Sequence, residues 1–381
     1  MLKLGVIGYG YWGPNIVRNF SSQPDCQLVA ICDKNPKAVA QVLSRHPAVH
    51  ATSNPDEVTS SPKIDAVAIV TPVSTHYELA KKALENGKHV FVEKPFTATS
   101  AQAEELIELA DRKNLQIMVD HTFLFNGAVR KIKELVDGGV LGPLYYYDST
   151  RVNLGLFQHD VNVIWDLAPH DLSIIDYLIG LEPELVVATG GAHLNGLADM
   201  AYITLYFPKN IIAHINVNWL SPVKVRTTLV GGERKMLVWN DLEPSEKVKV
   251  YDKGVQVTNG HDESRQRLKA LVEAKVFEVG AEQAVHDLLV SYRSGDMWAP
   301  RVDQTEALQL ETRYFLDCVA SGEKPFNDGR AGLRVVRMLE AADESLTHRR
   351  EVVSTGRGRR VVHSTHPVNA MLRSTCQHDD A

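Results

Sequence analysis

Residues 3–20 read KLGVIGYGYWGPNIVRNF, and the parsing of this stretch decides the fold. KLGVIG (3–8) is a short apolar run ending on glycine, the pattern of a buried strand. PNIVRNFSS (14–22) has helical spacing and opens on proline, where a missing N–H costs nothing. Between them GYGYWG (8–13) has the form G-x-G-x-x-G. Alone that form is weak. Between a strand and a helix it has a mechanism. Gly8 permits a tight turn, Gly10 lets a pyrophosphate approach the backbone, and Gly13 lets helix pack on strand. The helix N-terminus then faces the phosphates, with Tyr11 and Trp12 beside them.

The next strand, QLVAICD (27–33), ends on Asp33, 20 residues after Gly13. A carboxylate there accepts hydrogen bonds from ribose hydroxyls and repels a 2′-phosphate, which favours NAD over NADP. The cation of Lys34 next door offsets part of that repulsion, so NADP stays open. A glycine-rich turn without a ligand is the bland alternative. It leaves the strand, helix and acid around the loop unexplained.

The alternation continues. DAVAIVTP (65–72), KHVFVEKP (88–95) and QIMVDHT (116–122) are near-continuous apolar strands, with amphipathic helices between them. Strands of that kind belong to a parallel sheet covered on both faces. After about residue 123 the pattern changes. A helix (126–139) and the strand PLYYYDSTRVN (143–153) precede the helix containing WDLAPHD (165–171). From Glu184 six strands follow one another with short turns, which implies a largely antiparallel sheet. Two helices, 306–323 and 329–346, finish the body. The expected fold class is α/β. A doubly wound dinucleotide-binding domain spans residues 1–122 and a second α/β domain with an open mixed sheet spans 123–356. Residues 357–381, polar and basic with little periodicity, are expected to form a tail outside the packed fold.

Composition bounds the partners. A chain of 381 residues with 44% hydrophobic and 23% charged residues has the profile of a two-domain globular protein. The net charge of −6 argues against nucleic acid as the main partner. The four cysteines form no C-x-x-C pair. No apolar run is long enough to span a bilayer, and the first strand begins at Lys3 with no room for a signal peptide, so a cytoplasmic location is expected.

Two further motifs carry chemistry. VEKP (92–95) places Glu93 and Lys94 at the carboxyl end of a parallel strand, where doubly wound sheets bind ligands. TPVSTH (71–76) ends the preceding strand in the same way. Thr71 and Pro72 are expected to line the cofactor, and His76 to touch that region from the start of the next helix. WDLAPHD sets Asp166 and His170 four apart. As metal ligands the two are one or two short of a zinc set, so no metal is expected. Pro169 fits a helix only in its first turn, which places the helix start near Asp166 with Asp166 as its cap. His170 would then stay neutral near a positive helix end, oriented by Asp166. A helix cap with a bonded histidine is the bland alternative for the pair. Trp165 would cover the nicotinamide or belong to the core.

With these pieces the chain resembles the Gfo/Idh/MocA oxidoreductases. GVIGYGYWG, TPVSTH, EKP (93–95) and WDLAPHD occur in that order over nearly the whole chain to about residue 350. It is similar in particular to the nucleotide-sugar branch, through HTFLFNGAVRKIKEL (121–135), RVNLGLFQHDVNVIWDLAPHD (151–171) and SYRSGDMWAPRVDQTEAL (291–308). The resemblance implies an active site between a Rossmann domain and the second domain, with the open sheet packed on another subunit in a homodimer or homotetramer. It maps the catalytic lysine onto Lys94 and the D-x-x-x-H pair onto Asp166 and His170. The basic tail is a departure from the family pattern.

Oxidation of a secondary alcohol needs a hydride acceptor, a base and a positive partner for the developing alkoxide. The cofactor is the acceptor, His170 can take the proton, and Lys94 can supply the charge. The expected reaction is hydride transfer between NAD(P) and a sugar carbinol, at C3 of a nucleotide-activated sugar, with a free sugar or inositol as the alternative. The fold also serves non-catalytic sugar-linked sensors. Loss of the lysine or histidine would mark those, and both are present. His121, Asn126, Arg151, Asn153, Asn162 and His170 lie on segments expected to border the substrate, with Arg130 and His159 nearby.

Overall fold

The structure is a computed structural model and describes residues 1–155, 158, 160–257 and 290–348. The expected tail at 357–381 and His159 lie outside the described residues. The first part of the chain runs β1 (Leu2–Ile7), α1 (Gly13–Ser21), β2 (Cys26–Cys32), α2 (Pro36–Arg45), β3 (His50–Thr52), α3 (Asp56–Thr59), β4 (Ala66–Ile69), α4 (His76–Glu85), β5 (His89–Glu93), α5 (Ser100–Lys113) and β6 (Ile117–Asp120). Its strands form one parallel sheet in the order β3-β2-β1-β4-β5-β6. The order reverses between β1 and β4, so a crevice opens there at the carboxyl ends of the strands. All four residues of β4 are buried, as a strand covered on both faces requires. Of these elements β3 and α3 had no sequence signal, because three or four residues are too few to show a period.

The second part contains α6 (Gly127–Asp137), β7 (Leu144–Val152), α7 (Val163–Ile179), β8 (Leu185–Gly191), β9 (Met200–Phe207), β10 (Ile211–Asn218), β11 (Val225–Gly232), β12 (Met236–Asn240), β13 (Val248–Val257) and β14 (Val290–Trp298). These strands form an eight-stranded sheet in the order β14-β13-β12-β11-β7-β10-β9-β8. Its pairings are antiparallel except β10 against β7. β14 was not expected from the sequence. It is an edge strand with little apolar alternation, and pairing with β13 holds it. Alternation is clean in β9 and β10. Ala201, Ile203, Leu205, Ala213 and Ile215 are buried on one face, while Tyr202, Tyr206 and Ile212 are exposed on the other.

Helices α8 (Ala307–Ser321) and α9 (Gly329–His348) close the described chain and return to the first sheet. Phe315 of α8 meets Phe20 and Phe91 edge-to-face, at centroid distances of 6.0 and 5.6 Å. All three rings are fully buried, worth about 1.5–3 kcal/mol each. Arg18 of α1 forks onto Glu306 just before α8. On α9, Arg334 forks onto Asp176 of α7 and Glu340 accepts from Ser100 N of α5. The last two helices thus tie both sheets together, and Ala307 at the start of α8 lines the cleft.

Candidate active site

The glycine loop has the geometry its sequence implies. Gly8 has φ +103°, and a Cβ there would lie 2.1 Å from the Val70 carbonyl oxygen. A Cβ on Gly13 would lie 2.5 Å from the Gly8 oxygen. At Gly10 a Cβ would meet nothing within 4 Å, so bare backbone faces open space at the crevice. No side chain caps α1, which leaves its first turn available to an anion. The Asp33 carboxylate accepts from Tyr9 N at 2.6 Å and Asn35 N at 2.7 Å. Those bonds fix its plane and leave lone pairs for a diol. Lys34 beside it is exposed. Bare backbone, helix end and oriented acid together fit a dinucleotide.

A cleft of about 920 Å³ starts at this loop. Tyr11, Trp12, Thr71, Pro72, Glu93, Lys94, Asn126, Trp165, Asp166 and His170 line it, with Arg226 and Asp241 from the second sheet. His76 is not on its wall. It is buried, with Nε2 2.7 Å from the Thr71 oxygen and Nδ1 2.9 Å from the Pro95 oxygen. Burial lowers its pKa against the pull of those carbonyls. His76 therefore ties the loop after β4 to the loop after β5, and reaches the cofactor region only through them.

The WDLAPHD helix differs from its sequence reading. α7 starts at Val163, capped by Asn162, whose Oδ1 accepts from Ile164 N and Trp165 N. Pro169 lies inside the helix, not in its first turn. A proline there withdraws the N–H that the Trp165 carbonyl would receive. One position on, the Asp166 carbonyl accepts from Lys94 Nζ at 2.8 Å. The Asp166 carboxylate lies 3.6 Å from the same ammonium and accepts from Trp219 Nε1 at 3.0 Å. Asp166 is thus neither the helix cap nor bonded to His170. Its partners are Lys94 and the buried Trp219.

His170 is held otherwise. Its ring packs edge-on against Phe123 at 4.9 Å, and the Arg151 guanidinium stacks on that phenyl ring at 4.5 Å. Its Nδ1 is buried without a protein partner, so Nε2 is the nitrogen that faces the cleft. Burial, then the charges of Lys94, Arg151 and Arg226, hold its pKa well below the ordinary value of 6.5. Neutrality comes from those effects rather than from a helix end.

Of the expected substrate contacts, Asn126 and His170 line the cleft. Arg151 does not. It is 4% exposed and forks onto Asp171, with its Nε 2.6 Å from Oδ2. Asn162 has its side chain committed to the α7 cap and to Asp343. Asn153 stays off the cleft wall, its N–H bonded to the Asn218 carbonyl. His121 turns away from the cleft into a cavity behind it. Arg130 pairs loosely with Asp303, 3.9 Å away. Several residues had no sequence signal: Phe123, Trp219, Arg226, Asp241 and a row of buried acids. Glu93 pairs in register with Asp120, and Asp120 interacts with the fully buried Glu311 of α8. Burial and then the Asp120 charge push both Glu93 and Glu311 well above the usual carboxyl range. The unpaired Asp120 Oδ2 and Glu311 Oε2 each gain a partner if one proton is shared.

Comparison with known proteins agrees with this geometry. Residues 2–121 match the oxidoreductase family with an NAD-binding Rossmann fold, and residues 129–238 match the GFO/IDH/MocA C-terminal domain. The UDP-N-acetylglucosamine 3-dehydrogenase of Acidithiobacillus ferrooxidans is 26% identical over 340 residues, 88% of this chain and 94% of that protein. The scyllo-inositol 2-dehydrogenase (NAD(+)) of Bacillus subtilis is 31% identical over 252 residues, 62% of this chain and 72% of that one. Among solved structures, the same A. ferrooxidans enzyme superposes with TM-score 0.71 at 24% identity, covering 91% of this chain and 98% of its own. At that identity the likeness is one of fold. The chain belongs to the Gfo/Idh/MocA oxidoreductase family.

Proposed function

We propose that this protein is an NAD-linked dehydrogenase or ketoreductase acting on a secondary alcohol of a sugar, at C3 of a nucleotide-activated sugar. One observation carries the reading. Lys94 and His170 line the same cleft as Tyr11 and Trp12 of the glycine loop. The loop at Gly8, Gly10 and Gly13, with Asp33, Thr71, Pro72 and Trp165, would hold the dinucleotide. When bound, that cofactor supplies the hydride acceptor. Lys94 offers its ammonium to the oxygen that gains charge as the hydride leaves. The Asp166 carbonyl holds Lys94 in place from one side of the cleft. Neutral His170 accepts the hydroxyl proton at Nε2.

The substrate class rests on the relatives. The nucleotide-sugar dehydrogenase aligns along most of this chain, which supports the first reading. A free sugar or inositol is the second, supported by the inositol dehydrogenase and by the cleft itself. Among the described residues lining the cleft, the cations are Lys94 and Arg226, and Arg226 is paired with Asp241 at 3.3 Å. A diphosphate calls for unpaired cations. Self-association through the open face of the second sheet is part of the same reading, since Tyr202, Tyr206, Ile212, Leu185 and Val187 stand exposed on it.

The test is a screen of UDP-N-acetylglucosamine, free sugars and inositols with NAD and NADP, following absorbance of the reduced nicotinamide. Turnover of the nucleotide sugar alone supports the first reading, and turnover of inositols or free sugars alone supports the second. No reduction by any of them, with no ketose reduced in the reverse direction, would sink both.

A further inference from the structure

The cleft has a wall that the glycine loop and Lys94 do not account for. Arg226 of β11 and Asp241, just after β12, line it together with Phe123 and His170. The hairpin sets the two in place. β11 pairs antiparallel with β12, and Asp241 N donates to the Arg226 carbonyl at 3.0 Å. Phe123 links this pair to His170: the imidazole packs 4.9 Å from its centroid and the Arg226 guanidinium lies 5.9 Å from it. The Arg226 charge is also one of those that lower the His170 pKa. A ring whose reacting carbinol meets Lys94 and His170 therefore has this pair beside it.

The pair is only partly spent on itself. Arg226 Nη1 donates to Asp241 Oδ2 at 3.3 Å, long for a charged pair, and 30% of the Arg226 side chain stays exposed. Asp241 Oδ1 lies 4.0 Å from Lys247 Nζ, beyond hydrogen-bond distance. Donors and an acceptor thus stand side by side at the cleft. The charge balance points the same way. Among the described residues lining the cleft, the cations Lys94 and Arg226 each stand against a carboxylate, Asp166 at 3.6 Å and Asp241 at 3.3 Å. Asp160 adds a further carboxylate, before Glu93 and Asp120 are counted.

We infer that Arg226 and Asp241 set the substrate class, binding two hydroxyls of an uncharged sugar or cyclitol ring and turning away a ring that carries a carboxylate. The inference rests on the dehydrogenase reading above. A hydroxyl both accepts and donates. Of two neighbouring hydroxyls, one accepts from the Arg226 guanidinium and the other donates to the Asp241 carboxylate. A ring carboxylate can only accept. It would gain part of a cation already shared with Asp241 and would bring its charge against Asp241 itself. Discrimination of this kind comes as much from the repelling group as from the attracting one. The pair acts on selection, while proton and hydride transfer stay with His170 and the cofactor.

The test uses the full chain. The neutral probes are UDP-N-acetylglucosamine, D-glucose and myo-inositol, and the charged ones are UDP-N-acetylglucosaminuronate and D-glucuronate. Rates of NAD reduction give kcat/KM for each. Calorimetric titration into the protein saturated with NADH, which cannot accept a hydride, gives Kd without turnover. The unmodified protein should prefer UDP-N-acetylglucosamine or D-glucose to its uronate by about tenfold or more. Asp241→Asn leaves Arg226 without its counter-charge and should shrink that preference by about tenfold, through KM and Kd rather than kcat. Arg226→Gln should weaken the neutral probe by about tenfold without improving the uronate. It judges the pair on its own if Asp241→Asn does not fold. A uronate bound as well as its neutral counterpart by the unmodified protein, an unchanged preference in Asp241→Asn, or no binding of any neutral probe would overturn the assignment. If a neutral probe binds with the expected selectivity but none reduces NAD, the dehydrogenase reading fails and the selecting pair stands.

Discussion

Lys94 is anchored to a main-chain atom. Its Nζ donates to the Asp166 carbonyl at 2.8 Å, while the Asp166 carboxylate stands 3.6 Å away. The anchor therefore survives a change of the Asp166 side chain. Lys94→Ala should lower kcat by about 10²–10⁴-fold with little change in NAD affinity. Asp166→Asn should cost less, because the carbonyl and the Trp219 contact both remain available. Equal losses in the two variants would mean that the carboxylate, not the carbonyl, governs the lysine.

The pH dependence should report the buried base. His170 is pushed well below 6.5, first by burial and then by Lys94. Its neutral, proton-accepting form therefore persists as pH falls through 6.5 and is lost only near the lowered value. The acid limb of kcat/KM against pH should lie below 6.5 and disappear with the activity in His170→Ala. An acid limb above 6.5 in the unmodified enzyme would assign the base to another group.

The glycine loop separates folding from binding. Gly10→Ala places its methyl in open space and should change stability by no more than about 0.5 kcal/mol, yet weaken NAD binding, because the methyl occupies the approach to the backbone. Gly8→Ala must relieve a 2.1 Å contact with the Val70 oxygen at φ +103°. It should lower Tm strongly, with about 1–3 kcal/mol from backbone strain alone. Thermal unfolding and NAD fluorescence titration on the two variants separate the effects. A Gly10→Ala protein that binds NAD normally would remove the loop from the cofactor site.

These contrasts show which parts of the site are legible in a sequence. The loop, Asp33 and Lys94 declare themselves because each sits at the end of a strand whose apolar run is itself readable. The parts that hold them in place do not. Trp219 reaches Asp166 across 53 positions and Arg151 reaches Asp171 across 20, and no local period links either pair. Pro169 misled for a physical reason. A proline inside a helix is costly in isolation, and its tolerance here goes with tertiary contacts, including the lysine on the neighbouring carbonyl. Arg151 was misplaced because a strand segment shows which residues alternate but not which face meets the cleft.

On the proposed reading Asp33 sets the preference between NAD and NADP. With its oxygens on Tyr9 N and Asn35 N, its remaining lone pairs are poised for ribose hydroxyls. Asp33→Ala should weaken NAD by about 1.5–3 kcal/mol, roughly tenfold or more in Kd, and narrow the preference against NADP. An unchanged ratio of NAD to NADP affinities would deny Asp33 that role.

Glu311 should show itself in the pH dependence of stability. Unfolded, its carboxyl titrates near 4.5; folded, burial and Asp120 raise it well above that. Between those two values the folded chain keeps a proton that the unfolded chain has released. Its contribution to stability is therefore complete below 4.5 and declines as pH rises toward the folded value. Glu311→Gln cannot ionise, and its amide can donate to the unpaired Asp120 Oδ2 as the protonated acid would. Relative to the unmodified protein, the variant's Tm should rise as pH increases above about 5 toward the raised folded value, whatever its offset at the acid end. Glu93, raised in the same way, keeps part of the slope in both proteins. Parallel Tm curves across that range would show that Glu311 is ionised in the folded protein and that its charge is balanced by some other means.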